Sequence, residues 1–351
     1  MASKSRVTFV LVLIALTLVQ MGFGAYGVIV TKFAKGNDFD PLVFSLYRDG
    51  CCFPVLFLAA YVAEKKISYP KLRELPLFVA MGFFGMFANQ LMYILGVYNT
   101  SADIASMFQP LAACWTVIVA VAARVEKFPN LSTVLGASKV IGIIVATAGA
   151  VLMNFGKSAK HNDTSNKYVS RSSSLFGYSA LVINTFSVGI YVVLQKKYIF
   201  SVATSRWKTC PIGVTAWAYL FGFISMGFAS LYYIRQPEKF YLQANGVIYT
   251  LIYAVFIASA MCYMLITWCN MLVSSTLVAA SWPLQVFFCI ILSYFILGET
   301  LSVLEIIGGL MIIFAMLAVV WSNYQTELLN SNRPEQKILN PRTEGYDKLT
   351  S

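Results

Sequence analysis

Arg48 and Asp49 stand side by side inside an otherwise apolar run, and that is where chemistry is to be sought first. Arginine in hydrocarbon is expensive, so it turns toward a protein interior, a watery cavity or a counter-ion. Its planar fork holds a carboxylate through two parallel hydrogen bonds. Counted down the helix from Pro41, Arg48 lies roughly 10 Å below one membrane surface. Asp49 is one position on, about 100° round the helix. That aims it at a neighbouring helix rather than alongside Arg48, or suits it to carrying a proton. Asp103 opens another apolar run and reaches a similar depth. Two readings stand. Arg48 and the aspartates form a polar network that locks helices together, or Arg48 holds a substrate carboxylate while Asp49 or Asp103 takes an ammonium or a proton.

Other chemistries have little to work with. Six of the seven cysteines lie within apolar runs, no C-x-x-C occurs, and the only histidine, His161, sits in a polar stretch. Thiols so placed are small apolar fillers. The expectation is no metal and no cofactor. G-x-S-x-G, P-loop and H-E-x-x-H patterns are missing, so the chain reads as neither a motif-bearing membrane hydrolase nor an ATP-driven pump, and not as an enzyme.

The elements that position these residues are membrane helices. Hydrophobic residues make up 58% of the 351 and charged ones 12%, too few charges to cover a water-soluble body of this size. Ten runs are long enough to cross a hydrocarbon core: 7–30, 41–63, 76–97, 103–124, 132–154, 175–195, 211–234, 246–268, 276–297 and 302–322. They are too long and uniform for barrel strands. The net charge of +11 is a matter of topology. With the N-terminus in the cytosol, sixteen Lys and Arg fall inside and eight outside, while Arg48 and Lys139 lie within spans. Both termini are therefore expected in the cytosol. The partners implied are the lipid bilayer and a small-molecule substrate, not nucleic acid.

The chain doubles on itself. Shifted by 173 residues, Ser101 falls on Ser274, Pro110 on Pro283 and Glu126 on Glu299; Gly24, Tyr26 and Lys32 meet Gly189, Tyr191 and Lys197 at a shift of 165. The division expected is a five-helix repeat over 1–154, a polar outer linker over 155–174, a second repeat over 175–322 and a disordered cytosolic tail over 323–351. Five spans per half is odd, so the second half enters from the opposite side. Inverted repeats are typical of secondary transporters, with the substrate near the midplane between halves. Pro110 and Pro283 interrupt matched helices and mark candidate kinks beside the cavity, each with an amide nearby, Gln109 and Gln285. Tyr26, Asn89, Tyr191 and Trp282 complete the candidate lining. Gly136, Ala137, Gly142, Ala146 and Ala150, with Gly308 and Gly309, suit close packing within the fold or in a homodimer. Lys139 lies near a helix end, where its stem can snorkel to the headgroups.

Several stretches resemble the plant nodulin-like, walls-are-thin-related (UMAMIT) transporters of the EamA branch of the drug/metabolite transporter superfamily. They are Gln20–Lys32, Val43–Arg48 ending in Tyr-Arg, Gly96–Lys127, Ala137–Lys157, and Trp282–Leu301 with its Leu-Gly-Glu ending. The resemblance implies ten helices in two inverted repeats, with the fifth and tenth peripheral and the rest around a cavity worked by alternating access. It implies substrates such as amino acids, auxin-like carboxylates and other small metabolites. The family commonly places histidine after Tyr-Arg, where this chain has Asp49.

The function expected is secondary transport of an amino acid or other small organic carboxylate, in a plasma or vacuolar/endomembrane. The alternatives are a nucleotide-sugar or phosphate-ester exchanger and a non-transporting ten-helix receptor or scaffold. Phosphates want several cationic donors, and the spans supply few. Asn162 heads an Asn-Asp-Thr sequon in the outer linker and is the expected glycosylation site. Tyr324–Ser351 is expected to be a disordered address segment, with Tyr346-Asp347-Lys348-Leu349 in the form of a sorting signal.

Overall fold

A computed structural model describes residues 2–34, 40–99, 108–126, 129–161, 171–202, 204–234, 240–241, 245–298, 300 and 302–331. Among these residues there is helix and no strand. Nine helices among them are long and apolar enough to cross a bilayer: Val7–Ile29, Leu42–Glu64, Leu75–Tyr93, Val134–Met153, Leu175–Phe200, Pro211–Tyr233, Asn245–Leu272, Ser275–Leu297 and Val303–Thr326. The shorter apolar helix Leu111–Ala122 falls after the third of them in the chain. Counting it as the fourth span gives the ten expected, called first to tenth below.

The packing follows a two-fold exchange of the halves. The first span packs on the eighth and ninth, as the sixth packs on the third and fourth; the second packs on the seventh and the fifth on the tenth. Exchanging each span with the one five later returns the same set of pairs. Two glycine contacts repeat in the same way. A Cβ on Gly24 would meet the Cys289 amide nitrogen at 2.9 Å, and one on Gly189 would meet the Thr116 nitrogen at 3.2 Å. Gly24 and Gly189 are related by the 165-residue shift, and Thr116 and Cys289 by the 173-residue shift.

A further repetition was not expected from the sequence. π-helical turns end the first and sixth helices, at Val30–Ala34 and Gln195–Phe200, and interrupt the third and eighth spans, at Phe83–Ala88 and Ala254–Met261. A π-turn inserts a residue, disturbs the backbone hydrogen-bond ladder and re-aims the side chains beyond it; such turns gather at functional sites.

The fifth and tenth spans form a pair at the edge. A Cβ on Gly149 would lie 2.7 Å from the Gly308 carbonyl oxygen, and one on Gly142 would lie 3.0 Å from that of Ala315. The small-residue spacings thus serve packing within the fold. Two boundaries differ from expectation. The fifth helix runs to His161 and the tenth to Ser331, so the linker and tail begin later than residues 155 and 323. Once a membrane helix is nucleated, extending it costs little per residue, and Tyr324-Gln-Thr-Glu-Leu-Leu contains no breaker.

On the face that carries Ala2, the two halves are tied together. Glu64 Oε1, at the end of the second helix, accepts from the backbone nitrogens of Ile212 at 2.6 Å and Gly213 at 3.3 Å. These are first-turn donors of the seventh helix, which Pro211 opens without an N–H and Cys210 leaves uncapped. Arg206 donates to both Glu74 oxygens, at 3.4 and 2.6 Å, and to the Tyr69 carbonyl. Burial pushes the Glu74 carboxyl up, but the hydrogen bonds from Arg206 and the Lys71 backbone outweigh it and hold the group below the ordinary glutamate value. A lowered carboxyl stabilises the folded state above its unfolded pKa, and that contribution fades as pH falls through the folded one. Glu74→Gln is therefore expected to cost under about 1 kcal/mol at neutral pH and nothing in strong acid. Melting curves of variant and parent should converge as pH drops below 4.5.

Candidate functional site

Arg48 and Asp49 meet in the interior of the second span. The Asp49 side chain is fully buried, that of Arg48 is 13% exposed, and Arg48 Nε lies 3.5 Å from Asp49 Oδ1. The expectation that Asp49 turns away from Arg48 is therefore corrected. Their Cβ directions differ, but the long arginine stem brings its Nε back to the carboxylate. Asp49 also faces a neighbouring helix, as expected: Gln90 Nε2 of the third span donates to the same oxygen at 3.3 Å. Asp49 Oδ2, Gln90 Oε1 and the Tyr219 hydroxyl are buried without hydrogen-bond partners. Buried polar atoms are rarely left so.

Tyrosines surround the guanidinium. Tyr26 of the first span is close enough to hydrogen-bond with it, and Tyr219 and Tyr263 approach from the seventh and eighth. The Tyr263 ring meets Tyr219 edge to face at 5.4 Å between centroids, Phe23 at 5.9 Å and Tyr191 at 6.2 Å. The repeat offset from Pro41 to Pro211 carries Arg48 onto Ala218 and Asp49 onto Tyr219. The second half thus answers the ionic pair with an apolar residue and a phenol. The charge belongs to one half only. Pro54, four residues after Gly50, lacks the N–H that would bond the Gly50 carbonyl beside this pair.

A chain of amides extends the site. Asn89 follows the π-turn in the third span and donates to the Tyr263 hydroxyl at 3.4 Å. Asn184 of the sixth span donates to the Asn89 carbonyl at 2.6 Å and to its side-chain oxygen. Gln109 Nε2 donates to Asn184 Oδ1 at 3.0 Å. One residue from the two-fold counterpart of that last bond at each end, Gln20 Nε2 donates to Ser281 Oγ at 2.9 Å, between the first and ninth spans. Both bonds grip the turn just before a proline. Pro110 precedes the helix Leu111–Ala122, and Pro283 opens Pro283–Leu297 after the break at Ser281-Trp282.

Tyr191 belongs to a separate, fully buried network in the second half. Gln195 Nε2 donates to the Tyr191 hydroxyl at 2.8 Å and to Thr267 Oγ1 at 3.2 Å, and Asn270 Nδ2 donates to Gln195 Oε1 at 3.2 Å. Lys196, expected among the loop cations, is buried here instead. Its ammonium donates to the carbonyls of Asn270 at 2.7 Å and Val273 at 2.6 Å, closing the C-terminal end of the eighth helix, where cations are favoured. Lys139 reaches a carboxylate beyond the end of the fourth helix. It pairs with Glu126 at 3.8 Å, and Glu126 in turn accepts from the Thr276 backbone at 3.2 Å.

Of the expected site residues, Arg48, Asp49, Tyr26, Asn89 and Gln109 fall into one connected polar region, and Tyr191 joins it through the Tyr263 ring. Trp282 packs into the apolar core, and Gln285 is half-buried where its carbonyl approaches Gly24 at the first span. Asp103 and Asn162 lie outside the described residues. Sequence reading missed Gln90, Asn184, Tyr219 and Tyr263. An amide in an apolar run was the available signal for the first two.

Ten helices in two inverted repeats, with polar groups gathered between the halves, make an integral membrane protein on a plan that transporters use. The EamA-like transporter family model matches residues 9–155 and again 175–321, and the chain belongs to that family. Similar proteins include Protein WALLS ARE THIN 1 of Arabidopsis thaliana, 26% identical over 88% of this chain and 82% of its own length. A WAT1-related protein of the same plant is 25% identical over 91% of this chain and 87% of its own. A crystal structure shares the fold, with a TM-score of 0.66 at 13% identity over 90% of this chain and 97% of that one. The protein is thus a membrane transporter of the drug/metabolite superfamily.

Proposed function

We propose that this transporter carries a small organic carboxylate, amino acids among them, by alternating access, with Arg48 holding the carboxylate. The observation that carries the reading is the looseness of the Arg48–Asp49 contact. It is a single approach through Nε at 3.5 Å rather than a bidentate fork. The guanidinium retains donors for a second carboxylate, in surroundings dry enough to strengthen the bond. A substrate with several negative charges is poorly served. Two other cations within helices among the described residues, half-buried Lys139 and buried Lys196, are engaged by Glu126 and by backbone carbonyls. Purified protein in liposomes, offered amino acids, indole carboxylates and nucleotide sugars, should exchange members of the first two groups. Preference for nucleotide sugars would replace this reading, and movement of none would favour the non-transporting alternative.

Asp49 supplies the coupling. With one oxygen held by Gln90 and Arg48 and the other unpartnered, it is suited to gain and lose a proton, or to meet a substrate ammonium. The groups facing it among the described residues are Arg48 and Cys52 on its own helix, Tyr26, Gln90, Tyr219 and Tyr263. Arginine, phenols and thiols ordinarily change charge above neutral pH, so a dependence on the acid side is assigned to Asp49. Asp49→Asn is expected to flatten the pH profile of transport while exchange continues. A profile unchanged from the parent would remove Asp49 from the coupling. The excess of Lys and Arg supports a cytosolic Ala2 face. Glycosidase-sensitive mass at Asn162 is the expected sign of that topology, and at Asn130 its refutation.

A further inference from the structure

A cleft of about 360 Å³ opens on the face that carries Ala2, between the start of the third span and the turn joining the sixth to the seventh. Its polar wall is built by Lys71, Glu74, Ser205 and Arg206, and its apolar wall by Leu77, Phe78, Ile199 and Val202. Half-exposed Tyr198 stands at the side, with Lys197 Nζ over its ring at 5.1 Å, the placement of an aromatic at a membrane–water boundary. From this shape and charge we infer a binding site for the phosphate of an anionic membrane lipid.

The charge argument is local. The cleft lining itself holds two cations, Lys71 and Arg206, against one carboxylate, Glu74. Glu74 lines the cleft itself, but Arg206 and the Lys71 backbone nitrogen, at 2.8 Å, already cover it. With Glu74 set against Arg206, the lining keeps the charge of Lys71, and a phosphate is its natural complement. Lys71 comes from the first half and Arg206 from the second, so one phosphate placed between them bridges the halves. Free phosphate offers the same head chemistry. The apolar wall beneath, running from Leu77 toward the bilayer, favours an acyl chain below that head.

The test uses the full chain in nanodiscs of phosphatidylcholine alone, of phosphatidylcholine with a minor fraction of phosphatidic acid, or of phosphatidylcholine with inorganic phosphate in solution. Retained lipid is counted by native mass spectrometry and thermal stability is read in parallel. Phosphatidic acid is expected to stay bound and to raise the melting temperature. Lys71→Gln should weaken its retention about fivefold, the loss of one cation near an anionic surface, with the melting temperature in phosphatidylcholine alone unchanged. Lys71→Arg should restore retention. Arg73→Gln, outside the cleft lining, should leave it unchanged. Equal loss in Arg73→Gln would mean diffuse surface attraction and overturn the site. So would retention by Lys71→Gln at the parent level, or no retention by the parent. Inorganic phosphate raising the melting temperature as much as the lipid would make this a soluble-anion site and overturn the lipid assignment.

Discussion

Arg48→Gln is expected to cut carboxylate transport about 100-fold while the protein still folds. The substitution keeps length and some hydrogen bonding but removes the charge and the fork. A charge-assisted pair of bonds is worth roughly 3 kcal/mol, so the loss in transport efficiency should reach about 100-fold. Transport of any neutral substrate should survive in the folded variant, because such a substrate makes no use of the fork. Removing it also leaves Asp49 with one fewer donor, so stability must be followed beside flux. A monodisperse, thermally stable variant that has lost carboxylates alone supports the clamp. A variant that aggregates makes Arg48 a helix lock, and one that moves carboxylates as well as the parent ends the clamp idea.

The second large effect is expected from a single methyl group. A Cβ on Gly82 would lie 2.7 Å from the Ala218 carbonyl oxygen and 2.7 Å from the Gly222 nitrogen. Both are backbone atoms of the seventh helix, which cannot swing aside as a side chain would. Gly82→Ala must part the third and seventh spans where the halves meet, at a cost of about 1–3 kcal/mol or more. That outweighs the gain of roughly 1 kcal/mol in helix propensity. Gly27 is the control, since a Cβ there meets only Cys289 Sγ at an ordinary 3.7 Å. Gly27→Ala should melt at or slightly above the parent, and Gly82→Ala well below it. The loss of activity in Gly82→Ala should follow the loss of folded protein, because Ala218 and Tyr219 next to the forced contact build the Arg48 surroundings. Equal melting temperatures for the two variants would show that the close approach at Gly82 is not there.

The amino-acid sequence by itself determined the solvent, the number of spans and the doubling of the chain. Each rests on local order: twenty or so apolar residues in a row can only span, and Gly24, Tyr26 and Pro110 recur at set distances whatever the helices later touch. It also singled out Arg48, because a charge in an apolar run is costly wherever it ends up. What it could not contain is which way each helix faces. In a bilayer the lipid side and the core side are both apolar, so no periodic stripe marks the inside as it does in a water-soluble helix. Tyr219 and Tyr263 therefore looked like any other residues of their runs, and the amides of Gln90 and Asn184 stood out without showing which way they face. The tertiary structure alone decided that Arg48 folds back onto Asp49, that Lys139 finds Glu126 and that Lys196 closes the eighth helix. It alone set Glu64 on a helix start 148 residues away. These are bonds between groups far apart in the chain, each chosen because a buried charge or an open helix end must find a partner in space, and position along the sequence carries no record of that choice.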